Sequence, residues 1–285
     1  MSEGQAVQAA ARRLIDAFDG EAAFLARHLG TGRELGHRAD AVMPTASTIK
    51  VLVLAELFRQ VEAGTVALDD RVAVTPDDRR GGSGVLKDLA GDLALAVRDH
   101  ATLMIALSDN VATAVLVRLL TLGRILASAR DWGLGATTAT FRQGGPIRDY
   151  ASSTPRDIVR LLALIADDAL VSPAACAGIR DLLLTQQDHD QLARYLPFNP
   201  YRRDRYHHPG PVVVRSKSGF SAGVRVDAGI VELPGRVRYV LCLMTAGSSD
   251  RSFRPEQAGA VLNGRLSRLV FDAWWPVGTA KPQDD

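Results

Sequence analysis

Hydrophobic residues follow a helical period through most of the first two thirds of the chain. In residues 5–18 they recur every three or four positions, which predicts an amphipathic helix that ends before Gly20. Similar patterns predict helices at residues 47–62, 93–107, 111–120, 124–132, 155–168, 173–184 and 255–275. The first turns of the helix at 47–62 are apolar on most sides, so we expect this helix to lie in the middle of the fold.

Runs with strand character lie near the two ends of the chain. Residues 22–29 and 34–41 flank Gly30-Thr31-Gly32 and predict a hairpin, and β-rich runs occur at 212–217, 224–233 and 237–245. The simplest packing joins them into one antiparallel sheet flanked by helices, with an inserted all-helical lobe. The predicted fold class is therefore α/β (α+β). We expect one unit of 285 residues, with an α/β lobe at about 1–45 and 206–285 and a helical lobe at about 46–205.

Composition excludes several classes of function. The net charge of +2 is too small to argue for a polyanionic partner, and two cysteines, Cys176 and Cys242, imply neither a disulfide framework nor a thiolate metal site. We interpret the basic, aromatic-rich residues 201–208 as a solvated loop and not as a nucleic-acid surface. The six histidines lack the paired helical spacing of a zinc site, so no metal or cofactor is predicted.

The amino-terminal segment lacks the uninterrupted apolar stretch of a secretory signal. No window in the sequence is long and apolar enough to span a bilayer. These features predict a soluble, cytoplasmic protein with no membrane partner, although a secreted protein whose signal had been removed has the same pattern. The oligomeric state has no signature in the sequence.

Three short motifs carry the candidate chemistry: Ser47-Thr48-Ile49-Lys50, Ser108-Asp109-Asn110 and Lys217-Ser218-Gly219. Ser47 and Lys50 are three positions apart in a predicted helix, so they share a face and the amine can reach the hydroxyl. A serine becomes a good nucleophile when a base accepts its proton, and a buried amine whose pKa is lowered by desolvation can be that base. Ser47 also begins its helix, so its backbone N–H can help to hold an oxyanion.

Each motif taken alone has an ordinary structural alternative. Ser47 and Lys50 fit a helix cap and a surface lysine, although a stray lysine among apolar neighbours is costly. Ser108-Asp109-Asn110 lies between two helical runs and alone fits a capping turn better than a site. Lys217-Ser218-Gly219 ends an apolar run, where small residues either finish a strand or let a ligand lie along its edge. The order and context of all three together favour a catalytic site.

The three motifs in this order resemble those of class A β-lactamases and the wider penicillin-binding serine hydrolases, and especially the lactamase-like serine hydrolase branch. Further matches are residues 82–86 before the second motif, Thr154-Pro155-Arg156-Asp157 at the start of a helix, and residues 226–230 after the third motif. The resemblance covers essentially the whole chain. It implies the DD-peptidase/β-lactamase fold and an acyl-enzyme mechanism acting on a small-molecule β-lactam, peptide-like amide or ester.

The resemblance also implies roles in the acylation step. Ser47 is expected to be the nucleophile and Lys50 its proton acceptor. Ser108 is expected to relay the proton to the leaving nitrogen, and Asn110 to position Lys50 and the substrate amide. The backbone N–H of Phe220 is expected to pair with that of Ser47 as the oxyanion hole.

The same resemblance implies how a substrate is held. Lys217 is expected to supply positive potential, and Ser218, next to Gly219, to hydrogen-bond a substrate carboxylate. Arg225 matches the family's strand arginine if one residue is deleted in this chain, and in that position an arginine clamps a carboxylate.

One departure from the class A pattern concerns the glutamate that activates the hydrolytic water in those enzymes. The chain has no glutamate between Glu62 and Glu232, and the matching loop at residues 143–150 offers only Asp149, beside Arg148. Without a positioned base, acylation proceeds while hydrolysis slows, because the two half-reactions move protons at different places. Three functions stay open: a hydrolase with slow deacylation, a transacylase or esterase of small-molecule metabolism, and a non-catalytic penicillin-binding sensor.

Overall fold

The computed structural model describes residues 3–141, 150–200, 212–234 and 237–275, and the fold is given for these residues. The elements, in chain order, are α1 (Glu3–Asp16), β1 (Glu21–His28), β2 (Glu34–His37), β3 (Met43–Pro44), a 3-10 turn (Ala46–Ile49), α2 (Lys50–Glu62), β4 (Arg71–Ala73), a second 3-10 turn (Pro76–Asp78), β5 (Ala94–Ala96), α3 (Val97–Ala106), α4 (Asn110–Leu120), α5 (Leu122–Asp131), β6 (Thr138–Thr140), β7 (Tyr150–Ser153), α6 (Pro155–Ala166), α7 (Pro173–Leu183), β8 (Val213–Ser221), β9 (Val224–Glu232), β10 (Arg238–Ala246) and α8 (Ala258–Trp274).

The main sheet has five antiparallel strands in the order β2-β1-β10-β9-β8. It unites the predicted hairpin with the three late strands, which confirms the predicted fold class. Because side chains alternate along a strand, Phe24 and Leu241 pack on one face, against α1 and α8. Leu25 and Cys242 pack on the opposite face, which α6 covers.

Helix α2 occupies the centre of the helical part, as its sequence predicts. Residues 51–55 are at most 1% exposed, because α4, α5 and α7 pack around this helix. Helix α6 begins as its Thr154-Pro155-Arg156-Asp157 start predicts: the Thr154 hydroxyl accepts a hydrogen bond from the Asp157 N–H at 3.1 Å. Both cysteines are free and fully buried, Cys176 in α7 and Cys242 in β10, which agrees with their interpretation as small core residues.

Several predicted boundaries are wrong, including that of the second hairpin strand, which ends at His37 and not at residue 41. The predicted helix at 93–107 begins only at Val97, because residues 94–96 form β5 and pair with β4. Ser47 lies in a 3-10 turn, and the α-helix starts at Lys50. The predicted strand at 212–217 continues to Ser221, because β9 offers a partner for each residue of the third motif, so that motif lies within the strand and not at its end. The short strands β3, β4, β6 and β7 are also missing from the prediction, because two to four residues are too few to show a period.

None of the helices in the described part of the chain is by itself long and apolar enough to cross a membrane. The consecutive helices α4 and α5, which meet at a bend of 79°, pass that test only together, by length and composition. Most residues of α4 are buried in the protein core.

Candidate active site

Ser47 lies in the tight turn that precedes the central helix. Its neighbour Ala46 has φ 45°, in the left-handed region that costs an alanine about 1 kcal/mol. The turn is fixed on both sides, because Thr45 N donates to Ala151 O at 3.0 Å and the Thr48 hydroxyl donates to Lys217 O at 3.2 Å. Ser47 itself is half-buried and lines a cavity.

The Lys50 ammonium lies in a nearly closed pocket on the first turn of α2. It is 4% exposed, and Nζ donates to Ser108 O at 2.7 Å, Ser108 Oγ at 3.0 Å and Asn110 Oδ1 at 2.9 Å. Three acceptors fit the three donor positions of an ammonium group. The first and second motifs therefore meet at one nitrogen atom.

The second motif forms a rigid corner between α3 and α4. Ser108 has φ 54°, which is a strained conformation for a serine. Asp109 is fully buried, and its carboxylate accepts four backbone N–H bonds of 2.7 to 3.0 Å, from residues 85, 86, 111 and 112. The capping-turn alternative therefore describes Asp109 correctly, while Ser108 and Asn110 on either side of it are turned toward Lys50.

The glycines before the second motif have a steric role. Gly84 has φ +101°, and a Cβ atom at this position would overlap the Asp109 carboxylate. Asn110 N donates to Ser83 O at 3.1 Å, and its side-chain nitrogen donates to Gly81 O at 3.0 Å. The loop at residues 81–86 therefore positions the amide whose oxygen accepts from Lys50.

Strand β8 passes directly across the turn that carries Ser47. A Cβ atom on Gly219 would lie 2.7 Å from Ser47 N, 2.9 Å from Thr45 O and 3.0 Å from Thr48 N. Only glycine permits this approach, because each of these neighbours is a backbone atom that the turn holds in place. The third motif is thereby brought next to the first.

Lys217 is fully buried beneath the strand, and its Nζ donates to Ser218 O at 2.7 Å. Burial lowers its pKa to about 8, although the carboxylates of Asp188 and Asp227 act in the opposite direction. Burial, and after it the charge of Asp188, raises the pKa of the neighbouring Asp227 to about 7. The Lys217 charge is therefore present at neutral pH and is lost as the pH rises above 8.

The Ser218 hydroxyl has a partner within the protein. Its oxygen lies 2.8 Å from Asp188 Oδ2 and also 2.8 Å from the Gln186 side-chain oxygen, and of these two acceptors for its single proton the charged carboxylate is the stronger. The Ser218 backbone N–H donates to the Gln186 side-chain oxygen at 2.6 Å, and the Gln186 nitrogen donates in turn to Ile105 O at 2.9 Å. The segment that follows α7 therefore lies along the open edge of β8.

Arg225 extends from β9 toward the outer end of β8. Its guanidinium donates to Ser221 O and Val224 O at 2.9 and 2.7 Å and to Ser252 O at 2.6 Å. It also lies 5.8 Å and 5.7 Å from the ring centres of Phe220 and Phe253, within the range of a cation–π contact. Burial lowers the pKa of Arg225, and Asp188 is the first of the carboxylates that oppose this.

Two cavities flank these motifs. The Ser47 cavity, of about 510 Å³, is lined by residues 44, 46, 47, 49, 50, 80, 110, 113, 114, 140, 141, 150, 151, 220, 221 and 224. The Asp188 cavity, of about 390 Å³, is lined by residues 83, 106–108, 186–191, 218, 220, 225, 253, 254 and 260. Phe220 lines both cavities. Lys50 joins them, since it lines the first and bonds Ser108, which lines the second.

The sequence motifs therefore converge in space. The structure brings Ser47, Lys50, Ser108, Asn110, Lys217, Ser218, Gly219, Phe220 and Arg225 to the two cavities or to the strand between them. Asp149, the candidate deacylation base, lies outside the described residues, and so does the basic loop at 201–208. Their roles stay predictions, as do the catalytic roles of the other residues.

Two contributors to the site are missing from the sequence interpretation. Asp188 and Gln186 contact the third motif, although they are about 30 residues away from it in sequence. The only signal is the polar run Gln186-Gln187-Asp188-His189-Asp190 directly after an amphipathic helix, and polar residues at that position are ordinary for a loop.

Comparison with known proteins agrees with this geometry. The family model described as "Beta-lactamase enzyme family" matches residues 6–274. A β-lactamase of Streptomyces fradiae is 28% identical over 286 residues, which cover 95% of this chain and 87% of that protein. The crystal structure of a β-lactamase from Sphaerobacter thermophilus superposes with a TM-score of 0.81 at 26% identity, over 95% of this chain and 97% of the other. A variant of PBP-A, determined as an acyl-enzyme complex with penicillin G, superposes with a TM-score of 0.82 at 25% identity, over 94% of this chain and 96% of the other.

Proposed function

Because the chain belongs to the β-lactamase enzyme family, and is a β-lactamase-like serine hydrolase, we propose that Ser47 attacks a lactam, amide or ester carbonyl and forms an acyl-enzyme that water releases slowly. The single observation that carries this proposal is the Lys50 nitrogen, which is held by Ser108 and Asn110 in a cavity that it shares with half-buried Ser47. The acyl-enzyme that a PBP-A variant forms with penicillin G supports it.

The acylation step follows from these contacts. Ser47 Oγ attacks the carbonyl carbon, and its proton passes to Lys50 Nζ, which must be un-ionised at that moment. The carbon–nitrogen or carbon–oxygen bond then breaks, and Ser108 Oγ, 3.0 Å from Lys50 Nζ, transfers a proton to the leaving atom. Lys50 returns the proton to Ser108, so no net charge is created. The products are an ester at Ser47 and an amine or alcohol, which leaves when the donor is an amide or ester and stays attached to the acyl group when the donor is a lactam.

The backbone N–H groups of Ser47 and Phe220 stabilise the developing oxyanion. The direction of the Phe220 N–H follows from that of Ser218, two residues earlier on the same strand. Ser218 N donates to Gln186, away from β9, so it points off the open edge of the sheet. Alternate residues of a strand point to the same side, so the N–H of Phe220 is directed to that edge as well. Gly219 holds this part of β8 against Ser47 N, which supports the pairing of the two N–H groups as an oxyanion hole.

Release of the acyl group lacks an obvious base. Among the described residues that line the Ser47 cavity, the ionisable side chains are Lys50, Arg80 and Tyr150; none is a carboxylate, and an arginine stays protonated and cannot act as a base. A base that activates water typically contributes a factor of about 100 to 10 000 to the rate. We therefore expect the ester at Ser47 to persist much longer than it takes to form.

The test is intact-mass measurement after mixing the protein with benzylpenicillin, with nitrocefin and with a neutral activated ester. The proposal predicts a single adduct in the wild type and none in Ser47→Ala. Ser249→Ala, which removes an exposed serine hydroxyl elsewhere, serves as the matched control and should react like the wild type. No adduct with any of the three compounds, or equal labelling of Ser47→Ala, would contradict the proposal.

A second test addresses the slow step. Asp149→Glu lengthens the one carboxylate that the sequence offers in the matching loop, and it should speed release of the adduct by about 10-fold or more while leaving its formation within about 2-fold. An unchanged release rate would show that Asp149 does not reach the acyl group.

A further inference from the structure

Asp188 acts on each of the three groups that are expected to hold a substrate carboxylate, by a hydrogen bond to Ser218 and only through its charge on Lys217 and Arg225. The Ser218 hydroxyl donates to Asp188 Oδ2 at 2.8 Å. The Asp188 charge is the first electrostatic influence on Lys217 and also on Arg225, where in each case it opposes the effect of burial. Asp188 therefore occupies the position beside Ser218 that a substrate carboxylate is expected to take.

Arg225 is not directed at an anion from outside. Its guanidinium is used by three backbone carbonyl groups, and it lies beside the rings of Phe220 and Phe253. An arginine clamps a carboxylate by donating two parallel N–H bonds to it. In Arg225 the N–H groups of the two terminal nitrogens already donate to backbone carbonyl groups. Arg225 is consequently not free to clamp an incoming carboxylate.

A second carboxylate near Asp188 is also unfavourable. Asp190, two residues further on and lining the same cavity, has its pKa raised first by burial and next by the Asp188 charge. Two carboxylates at close range disfavour each other's ionised forms. The same repulsion acts on a substrate carboxylate that approaches Ser218.

We propose that Asp188 is a specificity-determining residue that occupies the carboxylate subsite beside Ser218, so that the enzyme accepts acyl donors with an uncharged, hydrogen-bond-donating group there and rejects donors with a carboxylate. This inference rests on the proposed function. The substrate class is then a neutral amide, lactam or ester, and common β-lactams, which carry a carboxylate, acylate Ser47 poorly.

The experiment compares nitrocefin with its carboxamide, which differs only in that the carboxylate is an uncharged donor. Acylation rate constants are measured by intact mass and by the ring-opening absorbance. In the wild type the carboxamide should react about 10-fold faster or more, which corresponds to about 1.4 kcal/mol. Asp188→Asn should raise the rate with nitrocefin about 10-fold and change the rate with the carboxamide by less than about 3-fold.

Asp190→Asn is the matched control, because it removes the same charge from the same cavity without touching Ser218. It should shift the ratio of the two rates by less than about 3-fold. Equal rates for the two compounds in the wild type would overturn the inference even if Asp188→Asn failed to fold. Equal changes with both compounds in a folded Asp188→Asn protein would overturn it too, since they indicate a structural role.

The two proposals fail in different ways. If neither nitrocefin, nor its carboxamide, nor the neutral ester labels Ser47, both the proposed function and this inference are contradicted. If labelling occurs and nitrocefin reacts as fast as its carboxamide, only the inference about Asp188 is contradicted.

Discussion

The Ser47 cavity and the Asp188 cavity share Phe220 but differ in charge. The described lining of the Ser47 cavity contains the cations Lys50 and Arg80 and no carboxylate. The Asp188 cavity contains Asp188 and Asp190 opposite Arg225 and Arg254. The difference separates two tasks: one side is organised to form an ester, whereas on the other side Ser218 is already bonded to Asp188 and Arg225 to backbone carbonyl groups.

The largest effect is expected from the cation that joins the cavities. Lys50→Met removes the proton acceptor and leaves the Ser108 and Asn110 acceptors without their donor, so acylation of Ser47 should slow by about 1000-fold. The measurement is the single-turnover acylation rate with the neutral ester. Lys87→Met is the matched control: this lysine lines neither cavity, pairs with exposed Asp88 and donates to Gly84 O, and its loss should slow acylation by less than about 5-fold. A loss below about 10-fold in Lys50→Met would contradict the assignment.

The next largest effect tests whether β8 must lie against Ser47. Gly219→Ala places a methyl group 2.7 Å from Ser47 N, so the strand and the turn must separate and the oxyanion hole widens. Acylation should slow by about 100-fold, as when an oxyanion donor is lost. Gly123→Ala, in the first turn of α5 with open space around it, is the control for the same substitution and should keep the acylation rate and raise the melting temperature slightly. Equal acylation rates in the two variants would contradict the close approach.

Buried Asp227 gives a smaller effect, on stability. Its folded-state pKa of about 7 lies above that of an aspartate in water, so the folded protein binds the proton more tightly than the unfolded chain. Ionisation of the buried Asp227 carboxyl therefore destabilises the folded protein least at acidic pH, and this destabilisation grows as the pH rises from about 4 to about 7. Asp227→Asn removes that destabilisation. The gain in the free energy of unfolding of Asp227→Asn over the wild type should be about 3 kcal/mol larger at pH 7.5 than at pH 4.5, measured by urea unfolding. An equal difference at both pH values would contradict the raised pKa.

The smallest effect concerns the acceptor that releases the acyl group. If the Asp188 cavity favours donors over anions, a neutral or positively charged amine should reach the ester more readily than an amino acid of similar size. We expect release of the adduct to speed up by about 2- to 5-fold with an uncharged amino-alcohol and to change less with glycine. The mass time course with each additive measures this. Faster release with glycine would reverse the comparison.

Much of the fold was predictable because its signals are local. The hairpin of β1 and β2 has a glycine-containing turn, and α6 has a complete start signal at Thr154 to Asp157. The strand at Ala94–Ala96 was not predictable, because Ala-Leu-Ala extends a helical pattern equally well and only its pairing with β4 decides the conformation. The 3-10 turn before α2 was not predicted for a related reason, because its backbone conformation is set by contacts with β8 and β7.

The site divides in the same way. Ser47, Lys50, Ser108 and Asn110 belong to motifs whose spacing and order are visible along the chain, and in the structure Lys50 shares a cavity with Ser47 and bonds Ser108 and Asn110. Asp188 belongs to no motif. Its contact with Ser218 joins residues 30 positions apart and exists only because the segment after α7 runs beside β8. Sequence patterns cannot place such a residue in the site, whereas its hydrogen bond to Ser218 in the folded chain does.

The most direct test of the account is a time course of adduct mass on the wild-type protein with the neutral ester, followed by peptide mapping. The account predicts that one acyl group per chain appears on Ser47 within the first turnover and then decays far more slowly than it formed. Steady consumption of the ester without an accumulating adduct, or an adduct on any residue other than Ser47, would contradict it.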